Sequence, residues 1–302
     1  MSYAILEENE GRGQAVPLKP LRAAELDDWL HQASAQQRRW IEDSGFQAEP
    51  GQVCAVPSED GSIQCWLFGS EPGDWLKQLV GLPNRLPAGH YVLDCQWTRD
   101  QRRLASLGWG LACYRFDRYK EAQGERPELV LDEDIVGDVR RLSEAQLLVR
   151  DLVNTPTEHM GPAQLADAVQ READRFGAEV STVIGDDLLT GDLPAIHAVG
   201  RASDREPRLV HLTWGDPDAP LLALIGKGVC FDTGGLDLKT AAGMAVMKKD
   251  MGGAAHALAL ARLVMEYQLP VRLMLLIPAV ENSVSGNAYR PGDIIPTRKG
   301  LS

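Results

Sequence analysis

No apolar run in this sequence approaches the roughly 20 residues that a bilayer-spanning helix needs, so no transmembrane segment is expected. The opening stretch MSYAILEENEGRG has neither a basic start nor an apolar centre, which argues against a signal peptide there. Positive charge is short as well: 31 Lys and Arg face 43 Asp and Glu, a net charge of −12. A general binder of nucleic acid or anionic membrane would carry the opposite balance. Cysteine is sparse, with only Cys54, Cys65, Cys95, Cys113 and Cys230. No CxxC pair occurs among them, so neither a zinc ribbon nor a thioredoxin motif is present. Reduced, mostly buried thiols of a cytoplasmic protein are the expectation. The six histidines are scattered without HExxH spacing, and no internal repeat or low-complexity tract stands out.

What the sequence does have is a glycine-dense stretch from Leu221 to Ala255, LLALIGKGVCFDTGGLDLKTAAGMAVMKKDMGGAA. Its apolar start, Leu221 to Ile225, has the pattern of a buried strand that delivers a loop. The loop holds Lys227, Asp232, Lys239 and Asp250. Carboxylate oxygens suit hard or borderline divalent cations, and a neutral lysine amine can serve as a nitrogen ligand. Asp232 and Asp250 would supply negative charge, Lys227 a ligand amine, and a protonated Lys239 would hold an oxyanion. A glycine-rich turn with solvated charges remains the plain alternative. A phosphate-cradling P-loop is excluded, because Leu238 rather than glycine precedes Lys239 and Thr240. Cys230 lies in the same stretch with no base in view, and structural packing is expected of it.

GKGVCFDTGG, then Lys239, then MKKDMGGAA, resembles the signature of the leucyl (cytosol) aminopeptidase family of two-metal exopeptidases. The likeness extends to VRDLVNTP (Val149 to Pro156) and PAVENSVSGNAYRPGD (Pro278 to Asp293), so it covers the chain from about Val149 onward. The resemblance implies that Lys227, Asp232 and Asp250 are metal ligands, with Asp250 also meeting the substrate's α-amino group. It makes Lys239 the electrophilic catalytic lysine and Met247 a wall of the side-chain pocket. It further implies two divalent ions (zinc or manganese, with magnesium and cobalt compatible), a bicarbonate that shuttles protons, peptide substrates and a homohexamer. The ions would hold the substrate and generate a hydroxide nucleophile. The family's remaining Asp and Glu ligands and its catalytic Arg sit in an NTDAEGR segment that does not occur up to Ser302. The sequence is therefore expected to be the front part of such an enzyme, with weak metal binding and little turnover alone. The rival is a non-catalytic scaffold, regulatory or DNA-binding accessory protein on the same fold. Four intact site residues and the acidic balance speak against that rival.

The expected fold class is α/β. A small mixed α/β domain should occupy residues 1–130, and a catalytic domain with a mostly parallel sheet residues 131–302, apparently truncated. In the first, SYAILE, GQVCAVPS, SIQCWLFG and HYVLDCQW read as strands. AAELDDWLHQASAQQRRWIEDSG reads as one helix with Leu26, Trp29, Leu30 and Trp40 inward, GDWLKQLVGLP as a short helix, and Asp100 to about Lys120 as another. The aromatics Trp109, Tyr114, Phe116 and Tyr119 are assigned to the core. A long helix from about 132 to 155 should bridge the domains, its apolar positions including Val139, Ala145 and Leu152. Beyond it, a helix buries Leu165, Ala168, Val169 and Ala173, and AEVSTVIG, RLVHLTWG, LLALIGKG and PVRLMLLIPAVEN supply strands, with a helix from Gly252 before the last. Ligands on such a sheet gather beyond the carboxyl ends of its strands.

Overall fold

The computed structural model describes residues 4–7, 12–120 and 124–300, which divide into two compact units, Met1–Glu144 and Ala145–Ser302. The first contains β1 (Ile5–Glu7), β2 (Val16–Leu21), α1 (Leu26–Gln32), α2 (Ala35–Ser44), β3 (Val53–Pro57), β4 (Ile63–Gly69), β5 (Gly89–Leu93), α3 (Arg99–Ala112) and β6 (Pro127–Leu131). Its six strands run in the order β1-β6-β5-β2-β4-β3, all parallel except the β3 hairpin edge. Alternation along β4 divides its side chains between two cores, Cys65 and Leu67 on one face and Trp66 and Phe68 on the other. Leu26 of α1 and Ile41 of α2 cover the first face, whereas Ala105 and Trp109 of α3 cover the second.

Several expectations change here. Ser2 and Tyr3, expected in the first strand, lie outside the described residues. The single helix expected across residues 23–45 is two, because Ser34 begins a new one: its hydroxyl accepts from the Gln37 N–H at 3.2 Å while the Gln37 side chain reaches back to the Ser34 N–H. The restart resets the helical phase, so Ile41 is buried and Trp40 is 51% exposed. GDWLKQLVGLP forms only two tight 3-10 turns, Trp75–Lys77 and Leu82–Asn84. The α3 helix stops at Ala112, and Arg126 takes the free carbonyl of Cys113 at 3.2 Å. Trp109 is fully buried and donates to Ala4 O, but Tyr119 is exposed.

A 22-residue helix, α4 (Glu133–Asn154), follows. Its Ile135 and Val139 belong to the core of the first unit, and its Ala145, Val149 and Leu152 to the core of the second. The second unit continues with α5 (Pro162–Phe176), β7 (Glu179–Ile184), α6 (Asp187–Thr190), α7 (Pro194–Gly200), β8 (Arg208–Trp214), β9 (Leu221–Ile225), β10 (Gly228–Asp232), α8 (Ala241–Met244), α9 (Gly252–Glu266) and β11 (Arg272–Asn282). Leu165, Ala168, Val169 and Ala173 of α5 are all buried, as the helical spacing requires. The sheet is mixed. β9 and β10 run parallel to β11, while β8 is antiparallel to both β11 and β7, so the parallel character holds for the three strands nearest the glycine-rich loop.

β10 falls inside what reads in sequence as loop. β9 and β10 are two halves of one strand, paired with β11 in the same register on either side of a break at Gly226 and Lys227. The helix α9 causes the break. The Ala254 N–H donates to Lys227 O at 2.9 Å, and a Cβ on Gly226 would stand 2.6 Å from the Ala254 Cα. Only glycine lets the first turn of α9 press onto the strand here.

Candidate functional site

Lys227 occupies the break in this strand and Asp232 its carboxyl end. They are five residues apart, an odd separation that would put them on opposite faces of a regular strand. The register against β11 slips between Val229 and Phe231, leaving Cys230 as an extra residue. This bulge restores the phase, and Lys227 and Asp232 share a face. On that face Asn282, at the carboxyl end of β11, donates its amide to Asp232 Oδ1 at 2.7 Å.

After Asp232 the chain turns through Gly234 and Gly235, whose φ angles of +92° and +68° side-chain-bearing residues rarely adopt. The Gly234 N–H donates to Asp232 Oδ1 at 2.9 Å. The turn brings Lys239 back, with its ammonium against the Asp232 carboxylate and 3.1 Å from the Asp232 carbonyl oxygen. Burial pushes the Asp232 carboxyl up, but the Lys239 ammonium, the Gly234 N–H and the Asn282 amide outweigh it and hold the group below its ordinary range.

Asp250 lies in the 3-10 turn Met247–Met251 that runs directly into α9. Since the start of α9 is tied to Lys227 O, Asp250 is brought to Lys227, whose Nζ is 3.0 Å from Oδ1 and 2.9 Å from Oδ2. Oδ2 is buried and accepts no well-aligned hydrogen bond. Met247, at the head of the same turn, is half-buried. All four charged residues singled out in the sequence are thus joined as two lysine–carboxylate pairs. Among the described residues no three His, Cys, Asp or Glu side chains converge as a metal cluster. Two carboxylates and a lysine amine, one carboxylate oxygen lacking a hydrogen bond, are a donor set that fits a divalent cation.

Other residues were not evident from sequence. Asn282 orients Asp232, and its signal is modest: a polar residue ending an apolar strand beside the site. On the far side of β10, Thr157 donates to Cys230 O at 2.8 Å, and Arg205 reaches Thr157 O at 2.6 Å and Glu281 at 3.8 Å. Burial raises the Glu281 carboxyl, with Arg205 opposing. Cys230 itself is 1% exposed, and burial drives its thiol up to about 12, so it packs rather than reacts. His256 is exposed, and its ring Nδ1 bonds Gly252 O at 2.7 Å.

Residues 147–302 match the model of the cytosol aminopeptidase family, catalytic domain, and residues 16–132 that of the M17 aminopeptidase N-terminal domain. A probable cytosol aminopeptidase of Corynebacterium efficiens is 39% identical over 210 residues, covering 66% of this chain and 42% of the relative. One from Corynebacterium diphtheriae is 39% identical over 279 residues, 85% of this chain and 55% of the relative. The crystal structure of cytosol aminopeptidase from Coxiella burnetii superposes with a TM-score of 0.95 at 43% identity, over 99% of this chain and 65% of that one. The bottromycin maturation enzyme BotP in complex with Mn superposes with a TM-score of 0.81 at 29% identity, over 95% of this chain and 64% of that one. The chain thus spans about half the length of the curated relatives, 42% and 55% of these two.

Proposed function

The chain belongs to the cytosol aminopeptidase family, and from that premise we propose that it serves a metal-dependent aminopeptidase that releases N-terminal residues, leucine-like ones preferred, from peptides. The observation that carries this reading is the pairing of Lys227 with Asp250 and of Lys239 with Asp232 at the carboxyl ends of parallel strands.

Lys227, Asp232 and Asp250 would hold the metal. Bound divalent ions supply Lewis acidity toward a peptide carbonyl and a nucleophile from water near neutral pH. Zinc and manganese are proposed first, with magnesium and cobalt compatible with the same ligands. Asp250 would receive the substrate's α-ammonium, which has the charge of the Lys227 ammonium now beside it. Lys239, a donor held in place by Asp232, would stabilise the oxyanion that develops on the scissile carbonyl. Asn282 keeps Asp232 ionised and oriented. Met247 would contact the N-terminal side chain. A bicarbonate, a cytoplasmic location and hexameric assembly are part of the same proposal. With three donor side chains among them, these 302 residues alone are proposed to bind metal weakly and turn over slowly.

The test is hydrolysis of leucine-p-nitroanilide with added manganese or zinc, on the 302 residues and on a chain of the relatives' full length. Metal-dependent hydrolysis confined to the longer chain supports the proposal. Hydrolysis by both at comparable rates would make the three-ligand assignment wrong, and silence in both with metal bound would overturn the activity. In the active protein Lys239→Ala should lower kcat by about 100-fold or more with metal content unchanged. Unchanged turnover would remove Lys239 from its role.

A further inference from the structure

The first unit has a cavity of its own, about 500 Å³, within the range of roughly 300–1,000 Å³ that small-molecule sites occupy. Its position follows from topology. The chain leaves β2 through α1 and α2, which cover one face of the sheet, and moves on to β3 and β4. It leaves β5, the other neighbour of β2, through α3, which covers the opposite face, and moves on to β6. The two connections part at the carboxyl ends of adjacent parallel strands. A crevice opens at such a switch point because no connection crosses it, and open α/β sheets bind ligands there. Leu21 at the end of β2, Arg22 and Glu25 just after it, and Asp94 to Trp97 just after β5 line the cavity.

The lining has a definite chemistry. Three of the protein's seven tryptophans, Trp29, Trp75 and Trp97, form its walls. Trp75 and Trp97 meet edge to face, their ring centroids 5.2 Å apart at 70°. All three are half-buried, and among the described residues none of their indole N–H groups has a hydrogen-bond partner, in contrast to Trp109. The polar lining is charge-balanced. Lys19 pairs with Asp94 at 3.0 Å and Arg22 pairs with Glu25, so both cations already have carboxylate partners. A polyanion finds no surplus positive charge there. A zwitterion does find partners, since a carboxylate can accept from Lys19 or Arg22 while an ammonium donates to Asp94 or Glu25. Indole faces and edges favour an aromatic side chain packed against them.

We propose that this cavity is a binding site for a free aromatic amino acid or a small aromatic peptide, separate from the lysine–aspartate site. The proposal rests on the lining and topology of the first unit alone and does not depend on the aminopeptidase reading.

The test is titration of the whole, EDTA-treated protein with L-phenylalanine, read by tryptophan emission excited at 295 nm and by calorimetry. One-to-one saturable binding is expected. It should weaken about tenfold or more in Lys19→Met and in Asp94→Asn, each of which removes one charge-assisted contact and leaves the indole walls in place. Asp250→Asn, in the other unit, should bind as the parent does. Trp97→Ala tests the wall, with circular dichroism to confirm folding. Absence of saturable binding at millimolar L-phenylalanine overturns the proposal. So does loss of binding in Asp250→Asn with retention in Lys19→Met, or tight binding of AMP at the same walls in place of the amino acid.

Discussion

Gly226→Ala probes the contact that sets the site. The added methyl would meet Ala254 Cα at 2.6 Å, Ala257 Cβ at 2.8 Å and Gly253 O at 2.8 Å, all of them backbone or backbone-proximal atoms of α9 that no side-chain rotation can clear. Overpacking of this kind costs about 1–3 kcal/mol. Alanine also narrows the unfolded ensemble, which contributes about 0.4–1 kcal/mol of stability in the other direction. Gly286→Ala carries the second effect without the first, since nothing lies within 4 Å of a Cβ there and its φ is not positive. The unfolded-chain contribution is common to both variants, so their difference reports the overlap. In urea, followed by far-UV circular dichroism, the Gly226→Ala midpoint should fall below that of Gly286→Ala by about 0.5–1.5 M. Displacing α9 should also draw Asp250 from Lys227 and weaken manganese binding. Coincident midpoints would refute the account of why the strand breaks at Gly226 and Lys227.

Two more expectations follow from ionisation. Burial lifts the thiols of Cys230 and Cys113 to about 12 and about 11, so Ellman's reagent at pH 8 should label half-buried Cys95 first and all five thiols only on unfolding. A fast phase that survives Cys95→Ser would contradict this. Asp232 is ionised more readily in the folded chain than in the unfolded one, so its contribution is present above its unfolded pKa and disappears as pH falls through the lower folded value. Asn282→Ala removes one of the bonds holding it down, and acid unfolding followed by circular dichroism should begin at higher pH. An unmoved acid transition would show that the Asn282 amide does not stabilise the carboxylate.

The patterns confined to one element were legible. Spacing alone marked the buried face of α5 and the course of α4, and glycine density pointed to the loop that carries Lys227, Asp232, Lys239 and Asp250. The convergence of these residues was not legible, because it depends on relations between elements. Nothing in GVCFD announces that Cys230 is an extra residue against β11, yet that bulge decides which face Lys227 and Asp232 share. Trp40 was misassigned for a related reason: helical phase was carried across Ser34, where the backbone restarts it. The cavity of the first unit was hidden because Trp29, Trp75 and Trp97 lie far apart in sequence and come to line one cavity only through strand order. Family motifs reached what spacing could not, but they were silent on the first unit.

Asp232 and Asp250 would repel each other if they faced one another bare. Each instead arrives with a lysine, so these four side chains together carry no net charge once the loop closes. Lys227 and Lys239 act as built-in counterions. On the proposed reading, closing this loop and loading a cation would be separate steps, because each carboxylate has its counterion within the chain itself.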